Sequence, residues 1–151
     1  MPIGSDKGFI VKPGFNPLAV QTSFISGQMW GAGYNLYGQL GQGNTTTNIS
    51  SPVQVGSLTT WSKGSAAYYS SFGINTSGEL YAWGINNYGH LGTGNTTNYS
   101  SPVQIGALTT WDKIIGGGSA QPWTAAIKTD GTLWTWGSGV NGKLGTGSVS
   151  N

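Results

Sequence analysis

The stretch "AWGINNYGHLGTGNTTNYSSPVQIG", from Ala82 to Gly106, combines frequent glycine with a Trp-Gly step and almost no charge. Part of it belongs to a pattern that occurs three times. The segment "TSGELYAWGINNYGHLG" at Thr76–Gly92 aligns with "TDGTLWTWGSGVNGKLG" at Thr129–Gly145 and with "ISGQMWGAGYNLYGQLG" at Ile25–Gly41. A repeat of about 50 residues indicates one supersecondary unit used several times.

A second repeated block gives the units their strands and turns. "SSPVQVGSLTTWSK" from Ser50 returns as "SSPVQIGALTTWDK" from Ser100. In "GELYAWG", Leu80 and Ala82 alternate with Tyr81 and Trp83, which is the period of a strand. "SG" and "DG" steps precede the matching strands, as hairpin turns do, and no window has the spacing of a long helix. The pattern predicts an all-β fold of antiparallel β-propeller-type blades.

The alignment divides the chain into three units, at about 22–60, 61–110 and 111–151, after an extended N-terminal arm at 1–21. We therefore expect an incomplete propeller of two to three repeat units. Matched apolar positions predict the core, with Trp83 and Trp136 buried at equivalent places because each indole can bury a large apolar area. The predicted core residues are Leu80, Trp83, Leu91, Leu133, Trp136 and Leu144.

The segment "LYAWGINNYGHLGTGNTTNYSSPVQIG" resembles the regulator of chromosome condensation repeat, whose units form a β-propeller. The likeness covers about Ile25–Gly147 and rests on the Trp-Gly, Gly-x-Leu-Gly-x-Gly and Ser-Pro-Val steps in combination. The best-known members of that family are nucleotide-exchange factors that use polar loop residues on one face. A typical unit also carries a histidine shortly before its "TDG" turn. Trp123 and Ser70 stand at that position here, so we do not expect exchange activity.

The acidic residues are candidates either for catalysis or for ordinary turn chemistry. The acidic residues are Asp6, Glu79, Asp112 and Asp130. Glu79 and Asp130 lie in repeated turns, where such side chains bond the local backbone, so we expect no glycosidase pair and no enzyme. His90 aligns with Gln39 and Lys143, which indicates an exposed polar loop position. One histidine without cysteine does not make a zinc site, and no metal or cofactor is expected.

The N-terminal segment "GFIVKPGFNPLAV" has no repeat partner. Its prolines keep it extended. Three interpretations are open: a divergent first blade strand, an apolar arm that docks into a neighbouring subunit, and a disordered tail. The candidate assembly residues of the arm are Phe9, Ile10, Val11, Phe15 and Leu18.

Composition narrows the classes of partner. The six basic residues are all lysines, scattered along the chain, which is a poor electrostatic footprint for nucleic acid. No apolar stretch approaches a signal peptide or a membrane helix, so we expect no membrane association and synthesis in the cytoplasm.

The function that composition favours is structural. A β-protein that is rich in Gly, Ser, Thr and Asn, with only 7% charged residues and no cysteine, resembles phage virion components. We expect a non-enzymatic capsid decoration, tail fibre or adaptor, located in the virion, with other subunits as partners. The alternatives are a cellular propeller scaffold that binds another protein, and a lectin-like binder of host surface glycans that stacks them on Trp or Tyr.

Closure of the propeller supplies a further expectation. A propeller closes with about 4–8 blades. The third unit reaches "GTGSVSN" without the "SSPVQ" strand. Unpaired sheet edges promote association, so we expect a homo-oligomer or a larger assembly rather than a free monomer. A head-to-tail ring of three chains, with about six blades, is one form; an open stack covered by another protein is the other.

Overall fold

Residues 21–25, 27–46, 48–118 and 121–149 are described by a computed structural model. Ten strands form three separate antiparallel sheets. The first sheet contains β1 (Gln21–Ile25), β2 (Gln28–Gly33) and β3 (Ile49–Gln54). The second contains β4 (Trp61–Ala66), β5 (Ser70–Asn75), β6 (Leu80–Gly84) and β7 (Tyr99–Gln104). The third contains β8 (Trp111–Gly117), β9 (Trp123–Lys128) and β10 (Leu133–Gly137).

This architecture confirms the predicted all-β class and its antiparallel blades. A single 3-10 turn at Val140–Gly142 is the only helical element in the described ranges. In that part of the chain no helix has the length and apolar character needed to cross a bilayer. The five residues predicted for the assembly arm lie outside the described residues, so the arm stays a prediction.

The hairpin between β5 and β6 shows how the local sequence sets the turns. The Asn75 side-chain oxygen accepts hydrogen bonds from the backbone N–H groups of Ser77 and Glu79, both at 3.0 Å. Gly78 follows with a φ of +78°, and a Cβ there would lie 2.3 Å from the carbonyl oxygen of Thr109. Glycine is required here by both the left-handed backbone and the close approach of the next segment.

Adjacent sheets are joined by a contact between an indole and a loop carbonyl. The Gln39 carbonyl, in the loop after β2, accepts a hydrogen bond from Trp83 Nε1 at 2.9 Å. The same oxygen accepts from Ser71 Oγ at 2.8 Å. Gly41 leaves space for the indole, because a Cβ there would lie 2.9 Å from Trp83 Nε1. The Gly-x-Leu-Gly step of the repeat therefore accommodates the tryptophan of the next sheet.

The same contact recurs between the second and third sheets. The His90 carbonyl accepts hydrogen bonds from Trp136 Nε1 at 2.9 Å and from Thr124 Oγ1 at 2.7 Å. Gly92 takes the place of Gly41, and a Cβ there would lie 2.7 Å from Trp136 Nε1. Since matched residues make matched contacts, the repeat in sequence is also a repeat in packing.

Two apolar clusters lie between the sheets. Buried members of the cluster between the first and second sheets are Met29, Val55, Trp61 and Trp83. Buried members of the cluster between the second and third sheets are Phe72, Ile74, Leu80, Ala82, Leu91, Ile105, Trp111, Ile114 and Ala126. The protein interior is thus made of two inter-blade layers, each of which needs both of its sheets.

The six residues predicted for the core differ in their burial. The structure buries Leu80, Trp83 and Leu91 completely. Trp136 and Leu144 are half-buried. The predicted burial of Leu133 is wrong, since 65% of its surface is exposed. It occupies in the third sheet the position that Leu80 has in the second. Leu80 is covered by the following sheet, and no described residue covers Leu133 in this way.

Candidate interaction surfaces

The first candidate surface, which we name the open face, is the side of the third sheet that faces away from the second. Two cross-strand rows form it, because residues paired across antiparallel strands share a face. One row is Ile115, Ala125 and Thr135, and the other is Lys113, Ile127 and Leu133. Ile115 is 60% exposed and Leu133 is 65% exposed. Large apolar side chains therefore meet solvent side by side.

On the matching face of the second sheet, the equivalent apolar residues are buried by a neighbouring sheet. Its rows are Ser65–Phe72–Ala82 and Lys63–Ile74–Leu80, and all four apolar residues in them are at most 1% exposed. The third sheet covers this face. Lys63 forms an ion pair there with Asp112 of β8. The open face has the same chemistry, and no sheet in the described part of the chain covers it.

An unpaired strand edge adjoins the open face. In the second sheet, β6 pairs with both β5 and β7, whereas β10 is an end strand of the third sheet, paired only with β9 among the described residues. Trp134 lies on this edge and is 48% exposed. Lys128 Nζ lies 3.9 Å from its ring centroid. Edge strands with free backbone groups are ready templates for another strand.

The second candidate surface, which we name the tyrosine cluster, lies where the first and second sheets meet. Tyr69 is at its centre, with ring centroids 5.8 Å from Tyr34, 4.6 Å from Tyr37 and 4.0 Å from Tyr68. All four rings are half-buried. The neighbouring Tyr68 hydroxyl raises the pKa of Tyr69 to about 12, and burial is a smaller cause. The cluster joins the loop after β2 to the β4–β5 hairpin.

A narrow cleft, which we name the end cleft, adjoins the tyrosine cluster between the second and third sheets. Its volume is about 20 Å³, which fits one water-sized group. Its lining includes Tyr68, Tyr69, Ser70, Ile85, His90 and Pro122. Two of the four clustered tyrosines therefore also form one wall of the cleft.

The predicted exposure of His90 is wrong, because the structure buries its side chain. Only 1% of its surface is exposed, and neither ring nitrogen has a hydrogen-bond partner. Burial lowers the pKa of His90 to about 4; the Ile85 backbone opposes this weakly, through a contact that falls short of hydrogen-bond geometry. Variation among His90, Gln39 and Lys143 suggested exposure. The repeat uses the backbone carbonyl of this position, so the side chain is free to vary.

Two of the three described carboxylates, those of Glu79 and Asp130, serve local structure, while Asp112 forms the inter-sheet ion pair with Lys63. Glu79 accepts hydrogen bonds from Asn75 and Tyr81. Asp130 accepts from the backbone N–H of Thr132 at 2.9 Å, and bonds to Thr132 lower the Asp130 pKa. Within the described ranges, no group of three or more His, Cys, Asp or Glu side chains is placed to hold a metal ion. These contacts agree with the turn chemistry expected from the sequence.

Three antiparallel sheets that pack face to face through a repeated indole–carbonyl contact define a β-propeller repeat protein. The family model of the regulator of chromosome condensation (RCC1) repeat matches residues 26–74 and 77–119. This chain belongs to the RCC1 repeat family, and the resemblance seen in the sequence is confirmed.

The chain spans only a small part of the length of the relatives it matches. The chain is 34% identical over 127 residues to the E3 ubiquitin-protein ligase HERC2 of Homo sapiens, covering 78% of this chain and 2% of that protein. It is 31% identical over 123 residues to the ultraviolet-B receptor UVR8 of Arabidopsis thaliana, covering 81% of this chain and 28% of the receptor.

Solved structures show the same fold. Prp20p from Saccharomyces cerevisiae superposes with a TM-score of 0.73 at 15% identity, over 86% of this chain and 34% of Prp20p. Human WBSCR16 superposes with a TM-score of 0.70 at 18% identity, over 80% of this chain and 31% of that protein. At such identities the likeness concerns the fold alone.

Proposed function

We propose that this chain is a non-enzymatic structural or binding protein that docks other protein subunits on its open face. The observation that carries the proposal is the contrast between two equivalent leucines: Leu80 is fully buried by the next sheet, and Leu133 is 65% exposed. Exposed contiguous apolar surface is a mark of interaction sites, and beside it lies the outer edge of β10, which no other described strand pairs with.

The covered face of the second sheet defines the partner by its chemistry. On the covered face of the second sheet, Trp111 of the third sheet packs into the apolar cluster and Asp112 pairs with Lys63, so the partner is a blade that lays an apolar surface on this face. We take a second copy of this chain as the occupant, because the blades of this chain already pack on one another in this way twice. The first sheet carries Ala32 at the Trp83 position. Contact through it lacks the indole–carbonyl bond, so we expect reversible, concentration-dependent association.

Related propellers support protein partners. The crystal structure of Prp20p was determined together with its binding properties to Gsp1p and histones, and another structure has Kap60 bound to yeast RCC1. These partners belong to those proteins. For this chain they support the general role of a propeller as a binding scaffold, with no catalytic group needed on the surface.

The setting we propose is a phage virion, in which the chain is a capsid decoration, tail fibre or adaptor. The support is compositional, namely low charge and abundant Gly, Ser, Thr and Asn. A cellular propeller scaffold is the alternative. Mass spectrometry of gradient-purified phage particles would separate the two settings: the chain would be present at a fixed copy number in the first case and absent in the second.

Light scattering on size-exclusion fractions tests the docking face. We expect the wild-type mass to rise with protein concentration, and Leu133→Lys to abolish the rise because it places a charge in the contact. Leu36→Lys is the matched control, since Leu36 is 43% exposed but lies outside the open face. A wild-type chain that stays monomeric at every concentration would overturn the proposal.

A further inference from the structure

The tyrosine cluster is not required by the fold. The repeat places equivalent residues at the boundary between the second and third sheets, where the same packing is made without such a cluster. Those equivalents are, in order, Ile85, Tyr88, Gln121 and Pro122. Four tyrosines at one boundary and one tyrosine at the other indicate that the cluster has a role beyond packing.

The geometry of the cluster restricts what it can bind. Its ring centroids lie 4.0–6.3 Å apart, so the rings contact each other and leave no space between them for a guest. An aromatic cage for a cation needs the cation over open ring faces, within about 6 Å of each centroid. The cluster is instead a half-exposed aromatic surface with phenol hydroxyls, which suits a ligand laid upon it.

The end cleft adds a polar group that has no partner. His90 lines the cleft, is 1% exposed, and has both ring nitrogens without hydrogen bonds. At neutral pH the ring is uncharged, because burial lowers its pKa to about 4. A neutral imidazole offers one donor and one acceptor. A hydroxyl group can donate to or accept from the ring nitrogen that faces the cleft, and the volume of about 20 Å³ fits one such group.

Charge selects a neutral ligand. None of the residues of the tyrosine cluster or of the end-cleft lining is an acid, a lysine or an arginine. A charged ligand would lose hydration there without gaining a counter-charge. The remaining chemistry is a ligand with apolar C–H faces for the tyrosine rings and hydroxyl groups for the phenols and the cleft.

We propose that the tyrosine cluster and the end cleft together bind a neutral carbohydrate chain. One sugar ring stacks on the cluster, and a hydroxyl group enters the cleft beside His90. This site is separate from the open face, so carbohydrate binding and subunit docking use different surfaces of the same chain.

The test is an array of neutral and anionic glycans probed with the whole chain, followed by calorimetric titration of the strongest neutral glycan. The double variant Tyr34→Ile with Tyr68→Gln inserts the residues that the repeat uses at the next boundary, so the fold is kept. We expect its affinity to fall about tenfold, since two stacking contacts are lost, with an unchanged melting temperature.

Two further variants separate the cleft from general aromatic stickiness. His90→Gln copies Gln39, whose side-chain oxygen accepts from the Tyr37 backbone N–H at 3.0 Å and is therefore not available to accept from a ligand. We expect affinity about two- to tenfold weaker, the loss of one hydrogen bond. Trp134→Gln removes an exposed aromatic residue outside the cluster, and affinity should not change.

Three outcomes of the binding experiments on the wild-type chain would overturn the inference. They are the absence of binding to every neutral glycan, preferential binding of choline, and preferential binding of a proline-rich peptide in a parallel titration. An effect of Trp134→Gln as large as that of the double variant would also overturn it, because the ligand would then lie elsewhere.

Discussion

Trp83→Ala is the substitution that most severely tests the inter-blade packing. The indole is fully buried among Met29, Val55 and Trp61, and its Nε1 donates to the Gln39 carbonyl at 2.9 Å. Truncation of a buried tryptophan costs about 3–5 kcal/mol. The Gln39 carbonyl keeps its bond from Ser71, so little is added for an unsatisfied acceptor. We expect a loss of about 4 kcal/mol in the free energy of unfolding.

The assay is urea denaturation followed by far-ultraviolet circular dichroism at low protein concentration. Trp136→Ala is the matched control, because its indole makes the same bond to the His90 carbonyl but is only half-buried. We expect the control to cost about half as much, in proportion to the apolar area lost. A cost below about 1 kcal/mol for Trp83→Ala would refute the packing described here. A larger cost for Trp136→Ala would refute it too.

Three further predictions concern positions where repeat and structure can be compared directly. Leu80→Ala should cost about 2–5 kcal/mol and Leu133→Ala less than about 0.5 kcal/mol in dilute denaturation experiments. Gly92→Ala should lower the melting temperature more than Gly94→Ala. Both glycines have positive φ, but a new Cβ at Gly92 would lie 2.7 Å from the Trp136 indole, whereas nothing lies within 4 Å of a new Cβ at Gly94. Thermal melts of the two variants check this. The His90 pKa of about 4 lies below the unfolded value near 6.5, so the unfolded chain binds the proton more tightly, and stability is lost as the pH falls from about 6.5 to 4. In denaturation experiments at a series of pH values, the loss in the free energy of unfolding should reach about 3 kcal/mol and should disappear in His90→Gln. If the free energy of unfolding of the variant depends on pH with the same slope, other groups cause the loss.

The strands and the family were predictable because their signals are local. Alternation in "GELYAWG" and the turn residues Ser77 and Gly78 specify a hairpin without reference to the rest of the chain. The burial of Leu80 was predictable for a related reason. A leucine on the apolar face of an internal repeat is covered by the next unit whenever that unit follows in the same sheet order.

Two misjudged positions depend on non-local contacts. Leu133 has the sequence environment of Leu80, but its burial depends on a neighbouring sheet that the local pattern does not report. His90 varies with Gln39 across the repeat, which resembles an exposed position. Both side chains are buried, because it is their backbone carbonyls that receive the next sheet's indole. Side-chain variation carries no information on a contact made by the backbone.

The tyrosine cluster was missed because its members are distant in sequence. Tyr34 and Tyr69 meet only when the first and second sheets pack together. One signal was available in the alignment: the pair Tyr68-Tyr69 has no tyrosine at the equivalent place, Gln121-Pro122, in the next unit. A departure from an otherwise faithful repeat is where a function beyond packing is best sought.

Hydrogen exchange of β10, measured by mass spectrometry over a range of protein concentrations, tests the central claim that the open face docks a second copy. The account predicts that amides of Leu133–Gly137 gain protection as concentration rises, while the internal strand β6 is protected throughout. Protection of β10 that does not change with concentration, in a chain whose β6 is fully protected, would contradict it.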